Sequence, residues 1–314
     1  MPRVAAIDCG TNSIRLLVAD VTKRDDGTSW LRDVHREQRV VRLGQGVDAT
    51  GMLNPEALER TRVALADYTA ILRRKGTESV RMVATSATRD ASNRDDFFDM
   101  TRSVLGVPAD VISGDEEAAL SFTGAVGDLD PDDGPFLVVD VGGGSTELVL
   151  GTWDGVKATP KAARSTDIGC VRITERCLRS DPPTTDEIET GREFAREVLQ
   201  AAFDVVPVAE AKTWIGVAGT ATTMGAIALD LPQYDSDAIH LSRVPRETLV
   251  ATSDRLLRLN HDERAAIPVI HPGRVDVIGG GSLIFQVLAE RLPHITELTV
   301  SEHDILDGIA LSQI

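Results

Sequence analysis

Two short stretches of this chain carry residue types that hold phosphate. Residues 7–13 read IDCGTNS and residues 139–145 read VDVGGGS. In each, an aspartate closes an apolar run, and glycine and hydroxyl side chains follow. Glycine takes φ above zero freely and lets backbone N–H groups converge into a nest for an anion. Gly10, Gly142, Gly143 and Gly144 would supply such amides, and Thr11, Ser13, Ser145 and Thr146 would add hydroxyl donors. Asp8 and Asp140 would repel phosphate directly. Their chemistry is instead to hold a metal ion that bridges to phosphate oxygens, or to order a water. A plain tight turn accounts for either motif taken alone.

Two further glycine-rich stretches follow. In GVAGTATTMG, residues 216–225, Gly219 and Thr220 precede a helical run and could meet an anion at its N-terminus. VIGGGS, residues 277–282, could do the same or only allow close packing. Neither is followed by Gly-Lys-Ser/Thr, so neither is a P-loop, and neither has the dinucleotide fingerprint. Glu116 and Glu117 fall in the first turn of a helical stretch, where acids favour the helix dipole without any chemistry. The six histidines show no pair at metal-ligand spacing, and His271 is open to either a cleft-lining or a structural role.

The elements that must place these groups can be read from periodicity. Strands are expected at 3–10 and 11–21, at 31–43, 108–113 and 295–301, while 79–87 reads as strand then loop, 136–151 as strand, turn, strand, and 213–229 as strand, glycine turn, helix. Helices are expected at 54–76, 95–106, 114–127, 185–203 with Thr185 as cap, 273–292 around a glycine-rich interruption, and 304–314. Superposing 7–18 on 139–150 aligns Asp8 with Asp140, Gly10 with Gly142, Ser13 with Ser145 and Leu16 with Leu148, a constant offset of 132. The offset predicts two similar domains, each opening strand–turn–strand, with the acidic loop near residue 130 between them.

The 314 residues suffice for two domains with sizeable cores. A formal net charge of −16 argues against a general nucleic-acid partner but not against an anionic substrate met by a local pocket. No apolar run is long enough for a membrane span, and the first residues enter a strand pattern with no room for a signal peptide. Three cysteines, an odd count without metal spacing, fit a reducing compartment. The expected setting is the cytoplasm.

AIDCGTNSIRLLVAD (6–20), VATSATRDASN (83–93), VISGDEEAALSF (111–122), VVDVGGGSTELVLG (138–151), DIGCVRITE (167–175), GVAGTATT (216–223) and SEHDILDGIAL (301–311) occur in this order. Together they resemble the exopolyphosphatase/guanosine pentaphosphate phosphohydrolase family, within the actin, sugar-kinase and Hsp70 ATPase superfamily. The resemblance implies an α/β fold of two actin-like (ribonuclease H-like) domains, 1–129 and 130–314, with an interdomain cleft. A helix near 303–314 would pack back on the first domain. It also implies the short form of the family, without the additional helical C-terminal region of longer members.

Carried over residue by residue, the resemblance makes Glu117 the catalytic base, Arg89 a phosphate contact and Asp140 a metal or water-positioning group. Glu147 becomes an acidic residue near the metal, and Ser145, Gly10, Asn12, Ser13 and Asp8 become turn residues of the site. Asp8 is the third candidate metal ligand and Arg15, beside the first turn, a further phosphate contact. Lys161, Arg164 and Arg172 are candidates for the path of a polyanion. Cys9 stands where members often have an aliphatic residue, and is expected to face the core. The implied reaction is metal-assisted attack of water on a terminal phosphoanhydride of polyphosphate, favouring short chains, with Mg2+ (Mn2+ as the alternative). The competing readings are a guanosine pentaphosphate phosphohydrolase, a kinase of the same fold and a non-catalytic phosphate-ligand sensor. A two-fold homodimer is the expected assembly.

Overall fold

The computed structural model describes residues 1–314. Packing divides them into two units. The first comprises Met1–Gly127, Asp154–Ala158 and Asp304–Ile314; the second comprises Asp128–Trp153 and Thr159–His303. The architecture is mixed α/β with one sheet in each unit, as the sequence leads one to expect.

The strands of the first unit are β1 (Arg3–Cys9), β2 (Ser13–Lys23), β3 (Ser29–Val40), β4 (Ser79–Ala84) and β5 (Asp110–Val111). Their order is β3-β2-β1-β4-β5, with β1–β2 and β2–β3 antiparallel and β1–β4 and β4–β5 parallel. Both faces of this sheet are buried, so β1 is apolar almost throughout. Ala5, Ile7 and Cys9 face one core cluster, with the helix Pro55–Lys75, and Val4 and Ala6 face another, with the helix Ile305–Leu311. Cys9 is thus a core residue. The helix Pro55–Lys75 has every device its sequence announces. Asn54 caps it, Pro55 opens it, and Gly76 closes it at φ 66°.

The strands of the second unit are β6 (Phe136–Val141), β7 (Thr146–Trp153), β8 (Ala158–Thr166), β9 (Thr213–Val217), β10 (Arg243–Pro245) and β11 (Glu297–Val300). The order β10-β11-β9-β6-β7-β8 repeats that of the first sheet, with β10 as an added edge. The offset of 132 survives in the register. Asp8 lies opposite Arg15 and Cys9 opposite Ile14 in the first hairpin; Asp140 lies opposite Glu147 and Val141 opposite Thr146 in the second.

Several local readings are corrected. Thr184, not Thr185, caps the helix Thr185–Phe203, in a reciprocal capping box with Glu187. The residues after β4 form a short helix, Ser86–Asp90, where a loop is expected. The glycines of VIGGGS do not interrupt their helix, which runs unbroken from Ile278 to Arg291. They let it approach a neighbour, since a Cβ on Gly280 would strike Ile173 and the Cys170 carbonyl of the helix Cys170–Cys177. After β9 the helix begins at once at Ala218, and that alanine, not a glycine, takes the left-handed conformation at φ 63°. The strand β8 and the helices Cys170–Cys177 and Arg246–Arg258 were not read from periodicity.

Candidate active site

In the first unit the turn between β1 and β2 is closed by the Gly10 N–H donating to the Ser13 carbonyl at 3.0 Å. The Asn12 carbonyl accepts the amides of Val41 and Arg42, which ties the turn to the end of β3. Thr11 is buried with its hydroxyl 2.8 Å from that of Ser86. Arg15 pairs with two acids. Its Nη2 donates to Asp8 at 2.7 Å and its Nη1 pairs with Asp304, and both acids are buried. The carboxylate of Asp8 is therefore engaged by a guanidinium where a metal ligand was expected. Its Oδ1 is buried with no hydrogen-bond partner, and burial, against the pull of Arg15, leaves its pKa raised.

The helix Gly114–Val126 begins at Ser113, whose hydroxyl accepts the Glu116 N–H. Asp115 and Glu116 are exposed, as acids in a first turn generally are, but Glu117 is buried. Glu116 pairs with Arg81 at 2.6 Å. Arg89, on the helix Ser86–Asp90, donates from Nη1 to the Ile112 carbonyl at 2.9 Å and to Glu117 Oε2 at 3.2 Å. The sequence motifs of Arg89 and Glu117 are thus joined in space, although 28 residues separate them.

In the second unit the equivalent turn has the equivalent bond, from the Gly142 N–H to the Ser145 carbonyl at 3.0 Å. Neither Gly10 nor Gly142 takes a positive φ, contrary to expectation. The need for glycine at position 142 is space, since a Cβ there would lie 3.2 Å from the Ser145 carbonyl oxygen. The helix Cys170–Cys177 packs end-on against the turn. Its amides at Cys170 and Val171 donate to the carbonyls of Gly142 and Gly143, each at 2.9 Å, and Arg172 Nε donates to the Gly144 carbonyl at 2.9 Å. Gly169 can be nothing else, because a Cβ would overlap the Gly143–Gly144 peptide. With the carbonyls held on that side, the amides of Gly143 and Gly144 donate to no backbone acceptor. This is the polarity an anion nest requires.

Asp140 and Glu147 face each other across β6 and β7, and both are buried. Glu147 Oε1 accepts the Ser165 hydroxyl at 2.7 Å, a partner on β8 that no motif marks. Two buried carboxylates on adjacent strands make an oxygen donor set suited to Mg2+ or Mn2+. Other predicted contacts have different employment. The Thr146 hydroxyl donates to the Ile168 carbonyl at 2.6 Å and that of Thr220 to the Val141 carbonyl at 3.3 Å. Gly219 lies against the guanidinium of Arg274, which also donates to Thr223 at 3.2 Å. His271 Nδ1 accepts the Gly273 N–H at 3.0 Å, a cap on the short turn Pro272–Arg274.

A model of the Ppx/GppA phosphatase family matches residues 20–314. The chain belongs to that family. Exopolyphosphatase 2 of Mycobacterium tuberculosis is 57% identical over 320 residues, covering 99% of this chain and 98% of that protein. The crystal structure of the Aquifex aeolicus Ppx/GppA family member has a TM-score of 0.80 at 30% identity, covering 99% of this chain and 97% of that one. A guanosine-5'-triphosphate,3'-diphosphate pyrophosphatase of Vibrio parahaemolyticus is 33% identical and covers the whole chain, which spans 59% of that longer protein. The family expected from the motifs is the family found.

Proposed function

We propose that this chain is an exopolyphosphatase, releasing terminal orthophosphate from inorganic polyphosphate by attack of water. The observation that carries the reading is Glu117. A first-turn acid serving only the helix dipole would sit in solvent, as Asp115 and Glu116 do; Glu117 is buried and held by Arg89. The name of the Mycobacterium tuberculosis relative supports the same reaction.

In this reading a Glu117 carboxylate oxygen takes the proton of the attacking water. Arg89 fixes that carboxylate through Nη1 and presents its remaining N–H groups to phosphoryl oxygens, a task for which a planar guanidinium is suited. The Gly143 and Gly144 amides receive phosphate oxygens, with Ser145 beside them. Asp140 and Glu147 are the residues that would hold Mg2+, or Mn2+ in its place, and a cation there would supply neutralising charge for the phosphate chain. Thr146, Thr220 and Arg15, committed to protein groups, drop out of the contact set. Cytoplasmic reaction and a homodimeric assembly complete the reading; no helix is long and apolar enough to cross a membrane.

The test is orthophosphate release from polyphosphate with Mg2+. Glu117→Gln should lower kcat by about 10²–10⁴ with little change in KM. An unchanged rate would remove Glu117 from the chemistry. The similarity to the Vibrio pyrophosphatase favours one alternative, guanosine pentaphosphate. Comparing kcat/KM on that nucleotide and on polyphosphates of several lengths decides between them, with short chains expected to win and processivity to be weak. Phosphate transferred to an organic acceptor, with none released to water, would mean a kinase, and no turnover with intact ligand binding would mean a sensor.

A further inference from the structure

We infer that Asp128, His240 and His303 form a second metal site, for a divalent transition ion of the zinc class. All three belong to the second unit, and none takes part in the chemistry proposed above. Asp128 Oδ2 lies 2.6 Å from His303 Nδ1 and 3.4 Å from His240 Nε2. One ligand atom from each residue lies within 4.8 Å of the others. Ligands about 2.0–2.2 Å from one zinc ion at a tetrahedral angle lie roughly 3.4 Å apart. The His240–Asp128 separation already has this value, and the His303–Asp128 separation, now a hydrogen bond, has to open by less than an ångström.

The donor types select the ion. Two imidazoles and one carboxylate suit zinc and its neighbours, whereas Mg2+ takes oxygen ligands. Both rings stand close to one carboxylate oxygen, so the three donors converge on one point. The two rings are tilted at 45° with centroids 4.4 Å apart. Binding exchanges protons. His240 Nδ1 now accepts the Glu302 N–H at 3.3 Å, so the neutral ring carries its proton on Nε2, toward Asp128. An ion at Nε2 moves that proton to Nδ1 and gives up this long contact. Asp128, His240 and His303 are partly exposed, which leaves the remaining coordination positions to water.

The site escaped sequence reading because its ligands are 112 and 63 residues apart, from Asp128 to His240 and from His240 to His303. Asp128 and His303 are the first and last residues of the second unit, so an ion here links that unit's two ends.

The experiment is calorimetric titration of Zn2+ into the chelator-treated, untagged full chain, with Co2+ as a spectroscopic probe through its visible bands. One ion per chain should bind, with millimolar Mg2+ unable to displace it. His303→Ala and Asp128→Asn should each weaken binding about tenfold or more, while Glu147→Gln should leave it unchanged. Far-ultraviolet circular dichroism monitors folding, and His240→Asn provides a milder variant should either substitution unfold the protein. Zn2+ that binds wild type and folded variants alike, that Mg2+ removes, or that does not bind at all overturns the site.

Discussion

Among individual residues, environment separates groups that the sequence leaves alike. Glu116 and Glu117 are adjacent and chemically identical, yet one meets Arg81 at the surface and the other is buried against Arg89. Asp8 and Asp140 occupy equivalent positions, yet Arg15 faces the first and Glu147 the second. Buried Asp304, between Arg15 and the start of its own helix, has a depressed pKa; burial works against this, and the neighbouring Arg15 and Arg36 outweigh it. A carboxylate whose folded pKa is depressed contributes stability above its unfolded pKa and loses it as pH falls through the folded value. Asp304→Asn should therefore destabilise the fold by about 3–5 kcal/mol near neutrality, since it leaves Arg15 short of a buried partner. The deficit should shrink as pH drops below about 4. Urea unfolding of wild type and variant over a pH series measures this. The motifs single out Asp8 and Arg15, but that they pair with each other and with a residue 289 positions away from Arg15 is tertiary information.

Elements were legible where they are long and obey one period. The helix Pro55–Lys75 announces its cap, its opening proline and its closing glycine. The helix Ser86–Asp90 is only five residues long, too short for a periodic signal, and it carries Arg89. The glycines of VIGGGS mislead for a different reason, because intrinsic propensity marks them as a break whereas tertiary packing uses them as clearance. Gly124 and Gly308, inside helices that the periodicity does announce, provide clearance of the same kind. A Cβ on Gly124 would overlap the Asp304 carbonyl, and one on Gly308 the Leu120 carbonyl, so the helices Gly114–Val126 and Ile305–Leu311 meet backbone to backbone. In an exposed helix, Gly→Ala would stabilise by about 0.5–1 kcal/mol. Here the obstacle is main chain, which cannot rotate away, and Gly124→Ala should destabilise by about 1–3 kcal/mol. Thermal unfolding followed by circular dichroism gives the sign.

Over the whole molecule, the duplication was the most informative part of the sequence. It leads one to expect two similar units, each opening strand–turn–strand; the common strand order and the register that repeats to the residue come from the structure. What it could not foretell is the divergence at the repeated position, Arg15 in one copy and Glu147 in the other. The first copy supplies its aspartate with a cation of its own; the second, in the proposed reading, receives one from solution. An ion bound by the folded second unit and not by the unfolded chain stabilises that unit by mass action. Added Mg2+ should raise the melting temperature of wild type, and Glu147→Gln should diminish the rise and increase the Mg2+ needed for half-maximal hydrolysis by about 10–100-fold. Differential scanning calorimetry and a Mg2+ titration of activity read the two effects.

The helix Ile305–Leu311 also bears on the order in which the protein can be made. It covers one face of the first sheet, where Ile305, Leu306, Ile309 and Ala310 pack on Val4, Ala6, Leu17 and Ala19. Those strands leave the ribosome first, but their cover is synthesised only after nearly all of the second unit. Domains generally fold as units during synthesis, earliest first, and uncovered apolar strands are the aggregation-prone species on that route. In this chain the second unit can close while the first still waits with one face of its sheet bare. The burden of protecting the nascent protein, by chaperone or by speed, therefore falls on residues 1–127 for as long as translation has not reached residue 304.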